Sequence, residues 1–388
     1  MLKIAALPVV LLLAAASSSA QDWKKKIDQQ RVNEAVKKGT DFMLQMSAGG
    51  CSKFPHPDLQ KLGQNVELSY CELFYLTLYH GGVDPADANM KRLLKYMLKS
   101  GISRTYNAAL QAMVLQKIDP WKYQDRLAYI AKFLVENQCE NGQWSYGEPI
   151  ADPVPTPRKE VASGTGGGER EPDPAVKPVK AELGRVVLKE KAKGPPTGDN
   201  SNSQYAALGI RACHDANIRF PKETITAAQK WWESSQNKDG GWGYQKDDAS
   251  YASMTAGAVG ALAIYNFVNG AAPNGGTGQG KGITWLAGNF SVTENAKYQY
   301  AKSHYFYFMY ALERAGVYLN QDYLGKRDWY AEGCNRLLED QKKNGSWGDN
   351  MVVDTCFAIL FLRRASNPLR PVATSVERKP VADDPEDK

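Results

Sequence analysis

The hydrophobic positions of the chain recur at helical spacing in twelve separate segments. Six of these segments are amphipathic, with apolar residues at a period of about 3.6 and a polar opposite face. The other six are apolar almost all round, which is typical of buried helices. The two kinds alternate along the chain. Amphipathic helices are predicted over 23–45, 86–98, 126–137, 224–235, 283–289 and 330–341, and apolar helices over 67–78, 106–116, 200–212, 250–266, 299–315 and 354–365.

A short turn motif separates several amphipathic segments from the apolar segments that follow them. It consists of a glutamine, a few polar residues, a glycine and a tryptophan. Trp242 and Trp347 lie about 105 residues apart, which corresponds to two units in the range typical of repeat proteins. The three complete copies are Gln138, Gly142 and Trp144; Gln236, Gly240 and Trp242; and Gln341, Gly345 and Trp347.

The repeat predicts about six units, each with an outer helix, a turn and an inner helix. A pair of helices cannot bury its apolar face alone, so the units must stack on one another. An open stack would need polar capping units at its ends, and none is evident. The pattern therefore predicts a closed ring of six inner helices surrounded by six outer ones.

The two halves of this predicted ring are 21–147 and 199–365. Between them, 148–198 is rich in Pro, Gly, Lys and Glu and has almost no large apolar residues, so we expect it to be disordered. The tail 366–388 is also predicted to be disordered. Residues 1–20 have the features of a signal peptide, with Lys3, an apolar run and a small-residue cleavage site. The mature protein is expected to be secreted or periplasmic, in a bacterium, and without a transmembrane span.

The charge of the chain narrows the possible binding partners. The net charge is +6 and no run is strongly basic, so we expect no nucleic-acid partner.

The chain has six cysteines. Cys71, Cys213 and Cys356 lie in apolar segments and are expected to be buried thiols. Cys51 and Cys139 lie in turns and are the favoured disulfide members, although their pairing stays open.

The three turns resemble the QW repeats of squalene and hopene cyclases and the repeats of protein prenyltransferase β subunits. This resemblance implies an all-α fold, the (α/α)6 toroid. It also implies structural roles for the motif: the glutamine bonds backbone groups at helix ends, the tryptophan packs between neighbours, and the glycine permits the tight turn. Because the repeat is structural, any chemistry must come from other residues.

In such a ring the N-termini of the inner helices point to one face, which is the expected ligand site. Each polar residue there could instead cap a helix or fill a buried hydrogen bond. The residues predicted to form this ligand mouth are Tyr70, Asn200, Asn202, Gln204, Tyr251 and Thr255. The candidate catalytic residues are Glu67, His304, Tyr305 and Asp354.

The catalytic motifs of the resembled families fit this chain poorly. The Asp-x-Asp-Asp acid of the cyclases is absent. Asp354-Thr355-Cys356 matches the Asp-x-Cys zinc pair of the prenyltransferases, with His304 on the neighbouring inner helix. However, the order of the ligands is reversed, and residues two apart point to different helix faces. A capping Asp354 and a buried Cys356 are therefore favoured, and we expect no metal or other cofactor.

Three functions follow from these observations. We expect an exported repeat protein without the usual cyclase activity that binds a ligand at the mouth: a small hydrophobic molecule, a glycan or a protein. The first alternative is an enzyme related to terpenoid cyclases or prenyltransferases. The second is a polysaccharide-acting enzyme, which would need a carboxylate pair such as Glu67 and Asp354 and aromatic platforms.

Overall fold

The computed structural model of the protein describes residues 27–47, 71–99, 101–158, 179–189, 194–371 and 374–378. Within these residues the chain forms twelve α-helices and six short strands. The helices are α1 (Gln29–Ser47), α2 (Cys71–Gly81), α3 (Ala88–Lys99), α4 (Thr105–Ile118), α5 (Gln124–Glu136), α6 (Asn200–Asp215), α7 (Lys222–Ser234), α8 (Ala252–Val268), α9 (Thr277–Gly288), α10 (Tyr305–Leu319), α11 (Trp329–Asp340) and α12 (Met351–Leu362).

The even-numbered helices form a closed inner ring. Each packs on the next, from α2 through α4, α6, α8 and α10 to α12, and α12 packs back on α2. The odd-numbered helices pack outside them, each against inner neighbours, and α1 also contacts α11 and α12. The predicted fold class, an all-α (α/α)6 toroid, is confirmed.

The two layers differ in how much of each helix is buried. In α8 the fifteen residues from Ala252 to Asn266 are all buried, whereas α3 buries only Met90, Leu93 and Met97. Small residues bring the inner helices close together: a side chain at Gly209 of α6 would lie 3.0 Å from the Cα atom of Ala109 in α4. The alternation seen in the sequence therefore reflects the two layers.

The glutamine of each Gln–Gly–Trp turn joins an outer helix to its ring neighbour. The Gln236 Nε2 donates to the carbonyl of Gly240 (2.8 Å) in its own turn and to that of Gly278 (2.7 Å) in the next outer helix. The other two turns repeat both bonds, from Gln138 to Gly142 and Thr224 and from Gln341 to Gly345 and Ala35.

The tryptophan of each turn bonds both to the helix before it and to the helix after it. The Trp242 indole donates to the carbonyl of Trp232 (2.8 Å), and its backbone N–H donates to the Thr255 hydroxyl (3.1 Å). Trp144 and Trp347 make the same two kinds of bond. All three indole rings are fully buried, so each closes the contact between two layers.

The glycine of the last turn, Gly345, shows why the motif needs this residue. Its φ is 87°, in the left-handed region that residues with a side chain rarely adopt. A Cβ at this position would collide with the carbonyl group of Lys38 in α1. The turn at Gly345 therefore packs backbone against backbone, which joins the last unit of the ring to the first helix.

Four helices begin three or more residues from their predicted starts, and one of them is α1, which begins at Gln29 rather than at 23. The Gly-rich stretch before 283 is already helical, because Gly282 has no side chain to collide with the Trp242 ring, 2.7 Å from where its Cβ would lie. Helix α12 begins at Met351 rather than at 354. Helix α10 begins at Tyr305 rather than at 299. His304, the residue before it, adopts a left-handed conformation (φ 57°) that cannot continue a right-handed helix towards residue 299. The predicted start of α2, at 67, lies outside the described residues.

The strands lie at the edges of the ring. Strand β1 (Val179–Glu182) pairs antiparallel with β6 (Ser375–Arg378), and β2 (Val186–Val187) pairs parallel with β3 (Ile218–Arg219). A short hairpin is formed by β4 (Tyr323–Leu324) and β5 (Arg327–Asp328).

The described parts of 148–198 are ordered, in contrast to the disorder expected for this segment. Leu183 is buried, and Gly198 packs its backbone directly on that of Trp144. Backbone pairing and a few apolar contacts thus provide the order that composition alone did not indicate. The parts 159–178 and 190–193 lie outside the described residues, as do the predicted signal peptide and the tail beyond 378.

Residues 363–371 cross the end of the ring at which the inner helices terminate. Ser366 bonds to Glu313 of α10 through its N–H (3.1 Å) and its hydroxyl (2.7 Å). Asn367 accepts from Lys117 of α4, and the carbonyl of Pro368 accepts from Arg211 of α6. The segment therefore runs from the end of α12 over the far end of the ring to α10, α4 and α6.

Two cysteines differ from the sequence-based expectation. Cys71 is disulfide-bonded rather than a free buried thiol, and Cys139 is a buried thiol rather than half of a disulfide. The expected roles of these two cysteines were therefore wrong, because a position in an apolar helix does not reveal whether a second sulfur lies nearby. Cys51 lies outside the described residues. Among the described helices, none combines the length and apolar character that crossing a bilayer requires.

Candidate functional site

The N-termini of the inner helices meet at one end of the ring, which we call the mouth. Loops from the outer layer bond directly to these helix ends. The N–H of Thr105 donates to the carbonyl of Tyr146 (2.7 Å), and that of Asn200 donates to the carbonyl of Tyr244 (3.0 Å). Each loop thus carries a tyrosine to the edge of the mouth.

Five tyrosines, which we call the tyrosine rim, surround this end: Tyr146, Tyr244, Tyr251, Tyr298 and Tyr300. The side chains of Tyr146, Tyr244 and Tyr300 are 56%, 37% and 64% exposed. The rings of Tyr251 and Tyr298 lie 4.7 Å apart. The rim therefore presents aromatic faces to solvent.

Three hydroxyl groups meet below the rim, and we call them the hydroxyl triangle. The Tyr106 and Ser201 hydroxyls are 2.5 Å apart, and Tyr307 lies 3.2 Å from the first and 3.0 Å from the second. Tyr106 and Ser201 are half-buried, and each lies in the first turn of an inner helix at the mouth. Burial raises the pKa of the Tyr106 and Tyr307 phenols, so the triangle consists of neutral hydroxyls that donate and accept hydrogen bonds.

A buried arginine lies deeper in the ring. The Arg314 guanidinium stacks on the rings of Tyr310 (4.3 Å) and Tyr205 (5.3 Å) and donates to Gln204 Oε1 (3.0 Å). Its Nη1, the Gln204 Nε2 and the Tyr310 hydroxyl are buried and have no hydrogen-bond partner among the described residues. Unpaired buried donors cost about 1–3 kcal/mol each, so an acceptor that reached them would be bound favourably.

Glu72 occupies the first turn of α2 beside the mouth. Its carboxylate accepts from the Asn107 Nδ2 (2.8 Å) and from the Gln111 Nε2 (3.4 Å). Gln111 in turn accepts from the Arg126 guanidinium of the outer layer (2.7 Å). Burial raises the pKa of Glu72 to about 7, although these hydrogen bonds favour the ionised form. The group can therefore exchange a proton near neutral pH.

Three residues predicted to line the mouth complete turns instead. Asn200 is buried, accepts from the Trp231 indole (2.8 Å) and donates to the carbonyl of Gly243 (2.9 Å). Asn202 bonds Asp199, the N-cap of α6, through its backbone and side chain. The Thr255 hydroxyl links Tyr251 to Trp242. Their hydrogen-bonding groups are used within the fold, except the buried Asn202 Oδ1, which has no partner among the described residues.

The other predicted mouth residues lie at three different places: at the tyrosine rim, in the interior of the ring, and outside the described residues. Tyr251 belongs to the tyrosine rim, and Gln204 lies in the interior against Arg314. Tyr70 and the candidate catalytic Glu67 lie outside the described residues.

The remaining catalytic candidates do not converge. His304 is exposed at the rim, where its Nδ1 lies 2.9 Å from the Ser303 hydroxyl. The Tyr305 hydroxyl donates to the carbonyl of Val292 (2.6 Å). Asp354 accepts from the Asn350 N–H (3.0 Å) within its own turn, and burial raises its pKa to about 7.

The zinc set suggested by His304, Asp354 and Cys356 does not form. Cys356 is fully buried, burial raises its thiol pKa to about 12, and its sulfur is hydrogen-bonded with Thr77 of α2. Across the residues that the structure describes, no three His, Cys, Asp or Glu side chains are grouped so that they could hold a metal ion.

The sequence analysis missed Glu72, Ser201 and Arg314 as site residues. Glu72 and Arg314 are charged residues within nearly uniform apolar segments, and buried charges are uncommon unless they are paired or functional. That conflict between residue type and helix type was the available signal. Ser201 gave no such signal, because a serine at a helix start is an ordinary capping residue.

Comparison with known proteins gives structural neighbours. No protein-family model and no curated protein matches the chain. Among solved structures, protein geranylgeranyltransferase-I of Candida albicans complexed with GGPP is similar, with a TM-score of 0.49 and 13% identity over 84% of this chain and 90% of that chain. A variant of the type II terpene cyclase MstE from Scytonema, in its apo form, has a TM-score of 0.32 and 11% identity over 77% of this chain and 99% of that chain.

Proposed function

We propose that the protein is an exported ligand-binding ring that takes up an organic molecule through the mouth. The observation that carries this proposal is the hydroxyl triangle, which lies half-buried beneath exposed aromatic side chains. Apolar walls with a few convergent polar groups are the usual composition of ligand sites.

The unpaired donors around Arg314 support the same proposal. They lie below the hydroxyl triangle and are available to an acceptor group of a ligand. The disulfide at Cys71 supports export, because disulfides persist in oxidising compartments. The predicted signal peptide points in the same direction.

Native mass spectrometry of the mature protein tests this function. We expect an added mass that disappears on denaturation. Tyr106→Phe and Ser201→Ala each remove one hydroxyl of the triangle and should lower the occupancy of the ligand about tenfold, the effect of one lost hydrogen bond of about 1.4 kcal/mol. Tyr330→Phe is the matched control, because its hydroxyl donates to the carbonyl of Leu362 between α11 and α12. A bare polypeptide mass for the unmodified protein would contradict the proposal.

A second function, proton transfer to the bound molecule, is favoured by Glu72. A carboxyl group whose pKa lies near neutrality suits general acid catalysis, and Glu72 lies beside the mouth. In that case Glu72→Gln would retain the ligand but stop its conversion. The masses of molecules released from the unmodified protein and from the variant after incubation would distinguish the two functions.

A further inference from the structure

Two segments on the mouth side depart from the Gln–Gly–Trp repeat. After Trp347, residues 348–350 lead directly into α12, whereas after Trp242 the longer segment 243–251 precedes α8. Between α9 and α10, residues 289–304 take the place of a repeat turn. In repeat proteins such insertions map to one face, which is often the binding face.

These two segments, with the Gln236 turn and α9, line an open cavity of about 780 Å3, which we call the rim cavity. Its lining includes Asp247, Asp248 and Ser250 from one segment and Asn289 and Lys297 from the other. Ser250 and Lys297 are followed in sequence by Tyr251 and Tyr298, whose rings contact each other at the mouth. Asp248, which lines the cavity, also interacts electrostatically with the Tyr251 phenol, so the cavity lies next to the tyrosine rim.

The wall of the rim cavity is fixed by internal hydrogen bonds. Asp239 accepts from the Ser250 hydroxyl (2.7 Å), the Trp285 indole (2.9 Å) and the Gly241 N–H (3.0 Å). Asn237 donates to the carbonyl of Asp248 (2.7 Å). These contacts fix the shape of the cavity without a ligand. Binding would therefore cost little conformational entropy.

Two charged side chains at the edge of the cavity are exposed to solvent and bond to no described residue. Among the described residues, the side chains of Asp247 and Lys297 have neither a hydrogen-bond nor an ion-pair partner, and both line the cavity. Asp247 accepts hydrogen bonds and Lys297 donates them. A ligand whose groups both donate and accept hydrogen bonds would therefore satisfy both side chains. An apolar ligand would bury these groups unpaired, at a cost. A simple ion would meet a group of its own sign.

We propose that the ligand of the mouth is a neutral oligosaccharide that occupies the rim cavity and extends across Tyr251 and Tyr298 towards the hydroxyl triangle. Sugar hydroxyls both donate and accept, and the C–H faces of sugar rings pack on aromatic side chains. The cavity volume falls in the range of ordinary ligand sites and leaves room for more than one sugar unit. This inference rests on the proposed function of the mouth.

Isothermal titration calorimetry with the full mature chain tests the inference. The probes are cellotetraose, chitotetraose and maltotetraose, with spermine and farnesol as a cationic and an apolar comparison. We expect at least one tetrasaccharide to bind. Tyr298→Ala removes an aromatic platform and should weaken that binding about tenfold, as is usual for aromatic residues at the centre of a binding surface. Asp247→Ala should weaken it about threefold or more, through loss of one hydrogen bond.

Tyr323→Ala is the matched control. Tyr323 is also exposed, and it lies in the β4–β5 hairpin and not among the residues that line the rim cavity, so the affinity should be unchanged. Tetrasaccharide binding that is insensitive to Tyr298 and Asp247 would overturn the inference.

The remaining outcomes separate the inference from the proposed function. If farnesol or spermine binds in a way that depends on Tyr106, and no sugar does, the mouth is a ligand site but not for oligosaccharides. If no probe binds and the native protein carries no added mass, both proposals fail.

Discussion

Three carboxyl groups that are buried or half-buried make the stability of this ring sensitive to pH. Glu72 lies beside the mouth, Glu313 lies under the segment 363–371, and Asp354 lies half-buried in the first turn of α12. Burial raises the pKa of each to about 7. Each is more easily protonated in the folded state than in the unfolded chain, so each makes folding less favourable as the pH rises towards neutrality.

The contribution of Glu72 to the pH dependence of the unfolding free energy can be isolated with Glu72→Gln, which keeps the shape of the side chain and does not titrate. The folded-state pKa of about 7 lies above the ordinary value of 4.5. The folded protein therefore binds the proton more tightly in this window, and the carboxyl contributes less stability as the pH rises through it. We expect the unfolding free energy of the unmodified protein, relative to the variant, to fall by on the order of 1–3 kcal/mol from pH 4.5 to 7.

Urea denaturation at a series of pH values measures this difference. Glu233→Gln on the outer face of α7 is the control, because that side chain is exposed. Curves for the unmodified protein and Glu72→Gln that run parallel across the window would show that Glu72 is not buried in this manner.

At the scale of elements, the turns explain why the glycine of each repeat cannot be replaced. Gly142 has a φ of 94°, and a Cβ there would lie 2.3 Å from the carbonyl oxygen of Ala227 in α7. Gly82 has nearly the same φ, 93°, but nothing lies within 4 Å of the corresponding position. The two positions share the backbone conformation and differ in the space around them.

This pair gives a prediction for the turn. Gly82→Ala should cost about 1–2 kcal/mol, the penalty of a left-handed conformation for a residue with a side chain. Gly142→Ala should cost at least about 2 kcal/mol more, because the collision is with rigid backbone. Thermal and urea unfolding of both variants would measure the two losses of unfolding free energy. Equal losses would mean that the turn at Gly142 can shift to accommodate a side chain.

The elements were predictable from the sequence to a large extent, whereas the site was not. Helix type follows from local periodicity, and the turn motif fixed the number of units. The hydroxyl triangle joins Tyr106, Ser201 and Tyr307, which are far apart in the chain and have no local signature. Asn200 and Thr255 were expected at the mouth because they lie at helix starts. At such a position the sequence cannot show whether a side chain faces the lumen or caps a turn.

At the scale of the whole molecule, the ring depends on contact between its first and last helices. Gln341 of the last turn donates to the carbonyl of Ala35 in α1 (2.8 Å). A side chain at Gly39 of α1 would lie 2.6 Å from the Trp347 ring. The first helix thus completes the socket of the last tryptophan, as the following helix does for Trp144 and Trp242.

Gly39→Ala tests this closure. A methyl group there would push α1 away from a fully buried tryptophan, and we expect a loss of about 1–3 kcal/mol, the usual range for overpacking. Gly280→Ala is the matched change in α9, where nothing lies within 4 Å, and it should stabilise the protein by about 0.5–1 kcal/mol through helix propensity. If both variants gained stability, the last tryptophan would not be confined by α1.

The segment 363–371 has a consequence for the order of events at the mouth. Because it bonds to α4, α6 and α10 at the end where the inner helices terminate, we expect a molecule bound inside the ring to leave by the route through which it entered. Arrival and departure then compete for one passage, and a second molecule cannot displace the first from behind. A chain too long for the interior must remain threaded, with one end held inside and the other free in solution. Such a ring would grip the ends of long molecules rather than their middles.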